Sequence, residues 1–80
     1  MRLDKYLKVS RIIKRRTIAN DACDAGRILV NSKPARASYK VKVGDIITVT
    51  LGSGEHDYEV LKIAETVKKE EAESMYKQIK

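Results

Sequence analysis

Residues 1–26, MRLDKYLKVSRIIKRRTIANDACDAG, decide the fold. Leu3, Tyr6 and Leu7 recur at helical spacing while Lys5 and Lys8 project to another side, so a short amphipathic helix is predicted from Arg2 to about Val9. Ser10 to Ile13 reads as a break. From Lys14 to Ala25, Ile18, Ala19, Ala22 and Cys23 fall on one face, and Gly26 follows where a helix commonly ends in the left-handed conformation. Two helices with a tight connection are expected.

The same stretch carries the charge. The chain has a net charge of +6, and its first sixteen residues hold seven Lys and Arg against Asp4 alone, while residues 17–80 carry ten basic and ten acidic side chains. A second basic group, Arg27, Lys33, Arg36, Lys40 and Lys42, has no acid among its members, so positive charge gathers in the first half. Lys14, Arg15 and Arg16 crowd the start of the second helix, where they repel one another and the positive end of the helix dipole. A solvated face accounts for Lys5 and Lys8. It does not account for the absence of acidic residues from Lys5 to Asn20. An anion relieves both repulsions, and a polyanion supplies several phosphates in a row.

Beyond Gly26, Ile28 to Val30 reads as a strand, and Asn31 to Pro34 as a turn that leads into further strand. Val41 and Val43 alternate with Lys40 and Lys42 before Gly44-Asp45, and Ile46 to Leu51 is apolar and β-branched enough for a central strand. Gly52-Ser53-Gly54 ends it. Tyr58 to Ile63 is expected to pair back on that strand, with a bulge at the slip from Val60 to Leu61. In the tail, Ala72, Met75, Tyr76 and Ile79 lie at i, i+3, i+4 and i+7, with Glu70, Glu71 and Glu73 early and Lys77 and Lys80 late, which predicts a helix whose apolar stripe packs on the protein's own sheet or engages a partner. The fold class is therefore α+β: two N-terminal helices on a small, mainly antiparallel sheet, plus a C-terminal helix. The domain is set at 1–65 and the helix at 66–80, with no internal repeat.

Several functions are excluded. Eighty residues without Trp or Phe make one core and leave no room for a catalytic domain with a deep cleft. No apolar run approaches the ~20 residues that span a bilayer, and no secretory signal opens the chain, so a cytoplasmic protein without membrane attachment is expected. Cys23, the single cysteine, sits among Ala19, Ala22 and Ala25 and reads as a buried, inert thiol with no metal-ligating neighbours. His56 falls in a Gly-Ser-Gly-Glu-His-Asp stretch where Glu55 and Asp57 are mere neighbours, not a catalytic relay. No catalytic residue, metal or cofactor is expected. A DNA-binding helix-turn-helix fits less well, because the basic residues continue into the β region while the later turns of the second helix bear Asp21 and Asp24.

Residues 2 to about 49 resemble the RNA-binding domain first described in ribosomal protein S-four. The elements that carry the resemblance are Arg2-Leu3-Asp4 with Leu7, Ser10-Arg11, Arg15-Arg16-Thr17 with Ala19, Gly26, Val30-Asn31, Lys33, and Val43-x-Asp45 ahead of Ile47. The resemblance implies the αL-type RNA-binding fold, a palm whose helical face takes structured RNA along its phosphates. Arg2, Arg11, Arg15 and Arg16 would then be leading contacts, with Lys5, Lys8 and Lys14 secondary and Thr17, near the start of the second helix, a contact or its cap. Lys33, Arg36 and Lys40 would extend the strip from the β side, and Asp4 would orient Arg2 or a neighbouring base. Tyr6 and Tyr39 are assigned to the core or its rim.

Among small members, the chain is similar to the free-standing heat-shock-fifteen and ribosome-associated quality control type. That similarity implies a non-enzymatic, ribosome-associated monomer that binds large-subunit ribosomal RNA and peptidyl-tRNA. It further implies cooperation with a fibronectin-binding-type factor during alanine tailing of stalled chains. An rRNA-binding role in ribosome assembly is the alternative.

Overall fold

The first helix, α1 (Leu3–Val9), buries Leu3, Tyr6 and Leu7 on the face that their spacing predicts. In this computed structural model, which describes residues 1–52 and 54–79, its opening N–H groups find partners outside the helix. The Leu3 N–H donates to the Tyr39 carbonyl at 2.7 Å and the Asp4 N–H to that of Ala37 at 3.2 Å. The segment around residues 37–40 is thereby tied to the start of α1, and an isolated antiparallel bridge joins Arg2 to Lys40.

The helix stops abruptly. The Arg11 N–H returns to the Lys8 carbonyl at 3.1 Å, with Arg11 itself at φ 64°, in the left-handed region that suits glycine. The second helix, α2 (Arg16–Asp24), is capped by backbone at Arg15 without any side-chain bond. Thr17 is thus inside the helix, not its cap. At the other end, the Gly26 N–H donates to Cys23 and the Arg27 N–H to Ala22, both at 3.0 Å, with Gly26 at φ 78°. This is a Schellman closure, and it turns the chain into the sheet.

Five antiparallel strands follow, in the spatial order β2-β1-β3-β4-β5. They are β1 (Ile28–Val30), β2 (Lys33–Pro34), β3 (Ile46–Leu51), β4 (Gly54–Val60) and β5 (Tyr76–Gln78). Asn31 and Ser32 at φ 52° and 70° make the tight turn between β1 and β2, and the Asn31 side chain holds Asp45 and the Ile46 N–H at 3.1 and 3.0 Å. The core lies between α1, α2 and the sheet: Leu3, Tyr6, Leu7, Ala19, Cys23, Ile28 and Ile47 are buried. Radius of gyration is 11.0 Å.

Four expectations are corrected. Val41 to Val43 forms no strand, and Val43 is 63% exposed. Ile18 faces solvent, because α2 packs through the small side chains Ala19, Ala22 and Cys23. The strand expected from Tyr58 begins at Gly54, so His56 is a strand residue opposite Val49, its ring 3.4 Å from the Gln78 amide. That strand leaves the sheet after Val60, where the Leu61 and Lys62 N–H groups share the Met75 carbonyl at 2.8 and 3.2 Å, two residues facing one as in a bulge.

The largest difference is in the tail. In place of a helix over 66–80 there is one turn, α3 (Lys69–Ala72), a 3-10 turn (Glu73–Met75), and then β5. Ala72 and Met75 are buried, as their spacing implies. Past Met75 the chain pairs with β4, and the Tyr76 ring meets Tyr58 edge-on at 5.2 Å. A lone helix of that length is marginal in water, whereas the open edge of β4 offers backbone partners at once. Ser53 of the turn and Lys80 of the tail lie outside the described residues.

Candidate nucleic-acid interface

Asp4 is the centre from which the basic face is built. It sits in the first turn of α1, is 2% exposed, and spends both carboxylate oxygens on hydrogen bonds. Oδ1 accepts from the Lys5 N–H at 2.8 Å and from Arg2 Nε at 3.2 Å; Oδ2 accepts from Arg16 Nε at 3.3 Å and Asn20 Nδ2 at 3.2 Å. Burial acts to raise its pKa, but the hydrogen bonds from Asn20, Arg16 and Arg2 and the charge of Arg16 outweigh it and hold the carboxyl below its usual range. The arginines keep about half of their side-chain surface in solvent, 50% for Arg2 and 48% for Arg16. One buried carboxylate thus locks two guanidinium groups from different elements side by side, each with free N–H donors facing outward.

Around this pair the other predicted cations fall into distinguishable places. Lys40 is brought next to Arg2 by the backbone bridge, although 38 positions separate the two. Lys5, Lys8, Arg11 and Arg16 line a cleft of about 390 Å³ whose other wall is Glu65, Thr66 and Val67. Lys8, Arg11 and Lys14 also share an adjoining cavity of about 340 Å³ with Lys69. Thr17 lines a shallow recess with Asp4, Arg16, Asn20 and Asp21. Arg15, at the head of α2, is exposed.

Lys33 and Arg36 are the exceptions. They line a separate groove of about 620 Å³ along β2, together with Pro34, Ser38 and Tyr39. The β side therefore sets the Lys40 backbone beside Arg2 and presents Lys33 and Arg36 on a surface of their own. Tyr39 is held there by a hydrogen bond from its hydroxyl to Asp45 at 2.9 Å, which raises its pKa. Tyr6 is fully buried, with its hydroxyl donating to the Met75 carbonyl at 2.7 Å.

Two residues of this surface escape a reading of the sequence. Glu65 pairs with Lys5, and Lys69 joins the cations of α1, both across more than fifty positions. Nothing local marks either residue; the only hint was the Ala72 and Met75 stripe that docks the tail. Among the described residues no group of His, Cys, Asp and Glu could hold a metal ion, and no helix is long and apolar enough to cross a membrane.

The family described as "S4 domain" matches residues 1–47, more than half of the chain. The chain is 53% identical over 76 residues to the "RQC P-site tRNA stabilizing factor" of Bacillus subtilis, covering 95% of this chain and 88% of the relative. It is 50% identical to the protein of the same name from Halalkalibacterium halodurans, covering 95% and 86%. Among solved structures, the trimeric heat shock protein 15 of Vibrio cholerae superposes with a TM-score of 0.91 at 30% identity, covering 99% of this chain and 81% of that one. With its two-helix basic face, its antiparallel sheet and these relatives, the chain belongs to the S4 domain family, alongside the RQC P-site tRNA stabilizing factors and heat shock protein 15.

Proposed function

We propose that this protein binds structured RNA through phosphates across its α1–α2 face and steadies a tRNA on the large ribosomal subunit during quality control of stalled chains. The observation that carries the reading is the Asp4 hub: a buried carboxylate fixes Arg2 and Arg16 together while about half of each arginine's side-chain surface stays in solvent, where phosphates can reach it. The names of its relatives supply the ribosomal setting. Arg2, Arg11, Arg15 and Arg16 act as leading phosphate contacts, Lys5, Lys8, Lys14 and Lys40 as supporting ones, while Lys33 and Arg36 meet a second RNA segment along β2.

The mechanism requires no catalytic residue. Contacts that bridge ribosomal RNA and a tRNA backbone raise the fraction of subunits in which the tRNA is positioned for the next transfer. In the same setting, large-subunit rRNA and peptidyl-tRNA are the ligands, and a fibronectin-binding-type factor carries out alanine tailing beside it. The site of action is the cytoplasm, on the ribosome, as a monomer.

The test is sedimentation of lysate through a sucrose gradient with the wild type beside an Arg2→Gln, Arg16→Gln variant. Gln keeps an amide donor for Asp4 where each Arg Nε stood, and circular dichroism of the variant checks its fold before the gradient is read. Wild type in the large-subunit fraction with peptidyl-tRNA, and variant at the top, is the expected result. Wild type at the top would sink the ribosomal reading.

A further inference from the structure

The tail segment brings one cation to the basic face from beyond the region that the family shares. Lys69, the first residue of α3, lines a cavity of about 340 Å³ with Lys8, Arg11 and Lys14, whereas the S4 match stops at residue 47. No carboxylate lines this cavity, and among the described residues none pairs with any of its four cations. The adjoining cleft is different, because there Glu65 pairs with Lys5.

Two features hold these like charges together against their repulsion. Arg11 occupies a left-handed backbone conformation, φ 64°, that a glycine adopts freely and a side-chain-bearing residue adopts only at a cost. Lys69 is fixed by the burial of Ala72 and Met75 and by the hydrogen bond from Tyr6 of α1 to the Met75 carbonyl. A concavity lined by one arginine and three lysines, with no acid among them, is suited to a compact anion of high charge.

We propose that Lys8, Arg11, Lys14 and Lys69 form a pocket for one phosphate of an RNA backbone, so that the C-terminal segment is part of the RNA-binding surface. This deepens the RNA-binding reading and rests on it. A backbone phosphate is favoured over a free anion because the cavity shares Lys8 and Arg11 with the cleft that reaches Arg16, so a strand crossing α1 and α2 passes over both.

The test measures binding of the full chain to purified large subunits carrying peptidyl-tRNA across a range of salt concentrations, for wild type, Lys69→Gln and Lys69→Arg. Lys69→Gln is expected to weaken binding roughly three- to tenfold at low salt and to lower the slope of log K against log salt by about one, with Lys69→Arg close to wild type. Lys69 is exposed, so thermal unfolding of both variants stays at the wild-type temperature. Equal slopes for wild type and Lys69→Gln would overturn the pocket while leaving the RNA-binding reading intact; failure of the wild type to bind would overturn both. Amide NMR titration with inorganic phosphate separates the sources. Saturation of the Lys8, Arg11 and Lys14 amides by inorganic phosphate that the RNA does not displace would assign the pocket to a free anion and overturn the proposal.

Discussion

Asp4 keeps a negative charge where solvent barely reaches, and the sign of its pKa shift says that its partners outweigh its burial. A carboxyl whose folded pKa lies below its unfolded one contributes stability above the unfolded value and loses it as pH falls through the folded one. The protein should therefore weaken as pH drops below the ordinary carboxylate range, and Asp4→Asn should flatten that acid limb in chemical denaturation at stepped pH. At neutral pH the same substitution is expected to cost about 1.5–3 kcal/mol, the usual worth of a hydrogen bond to a charged group. Arg11 makes the opposite case. Arg11→Gly relieves the left-handed strain and should leave stability equal or raise it by about 1 kcal/mol, while RNA affinity falls in a filter-binding assay; reduced stability would show that the side chain serves the fold. The hydrogen bond from Arg2 to Asp4 was legible in the sequence as the one acid among cations. The bonds from Arg16 and Asn20 were not, since they depend on how α2 crosses α1.

Elements were readable where local chemistry decides them. Gly26 was legible as a helix end, and nothing lies within 4 Å of a Cβ built on it, so Gly26→Ala tests the backbone alone. The expected cost is about 1–2 kcal/mol, a fall in melting temperature of roughly 4–16 °C for a domain of this size. The tail shows where local chemistry misleads. Its 3.6-residue stripe correctly buries Ala72 and Met75, yet Tyr76 to Gln78 becomes a strand because β4 has an open edge that no window of sequence displays. The same holds for Val41 and Val43: alternation predicts a strand, but that segment spends its hydrogen bonds on the start of α1 and on the Asp45 turn. His56, ahead of the strand expected from Tyr58, lies in β4 because the hairpin is tighter than the glycines around it imply.

For the molecule as a whole, the bond from Tyr6 to the Met75 carbonyl joins residues 69 positions apart inside the core. Tyr6→Phe removes that bond while the Leu61 and Lys62 N–H groups still reach the Met75 carbonyl, so it should cost about 0.5–1.5 kcal/mol, with amides 72–78 exchanging faster than those of β3 in hydrogen-exchange mass spectrometry. Uniform acceleration across both regions would mean that the tail does not open separately. Cys23 offers a probe of global unfolding. Burial, with the nearby charges of Asp4 and Asp24, pushes its thiol up to about 11, so alkylation at pH 8 should follow the unfolded fraction and not the native protein.

That same Tyr6 bond constrains how the chain can be made. Synthesis is vectorial, and α1 is made well before the group that satisfies its central tyrosine, which lies 69 residues further along the chain. Until Met75 clears the exit tunnel, the nascent chain holds Tyr6 without its carbonyl partner and β4 without its outer neighbour. A chain arrested before Met75 would be an incomplete domain, the kind of unfinished product that proteases find first.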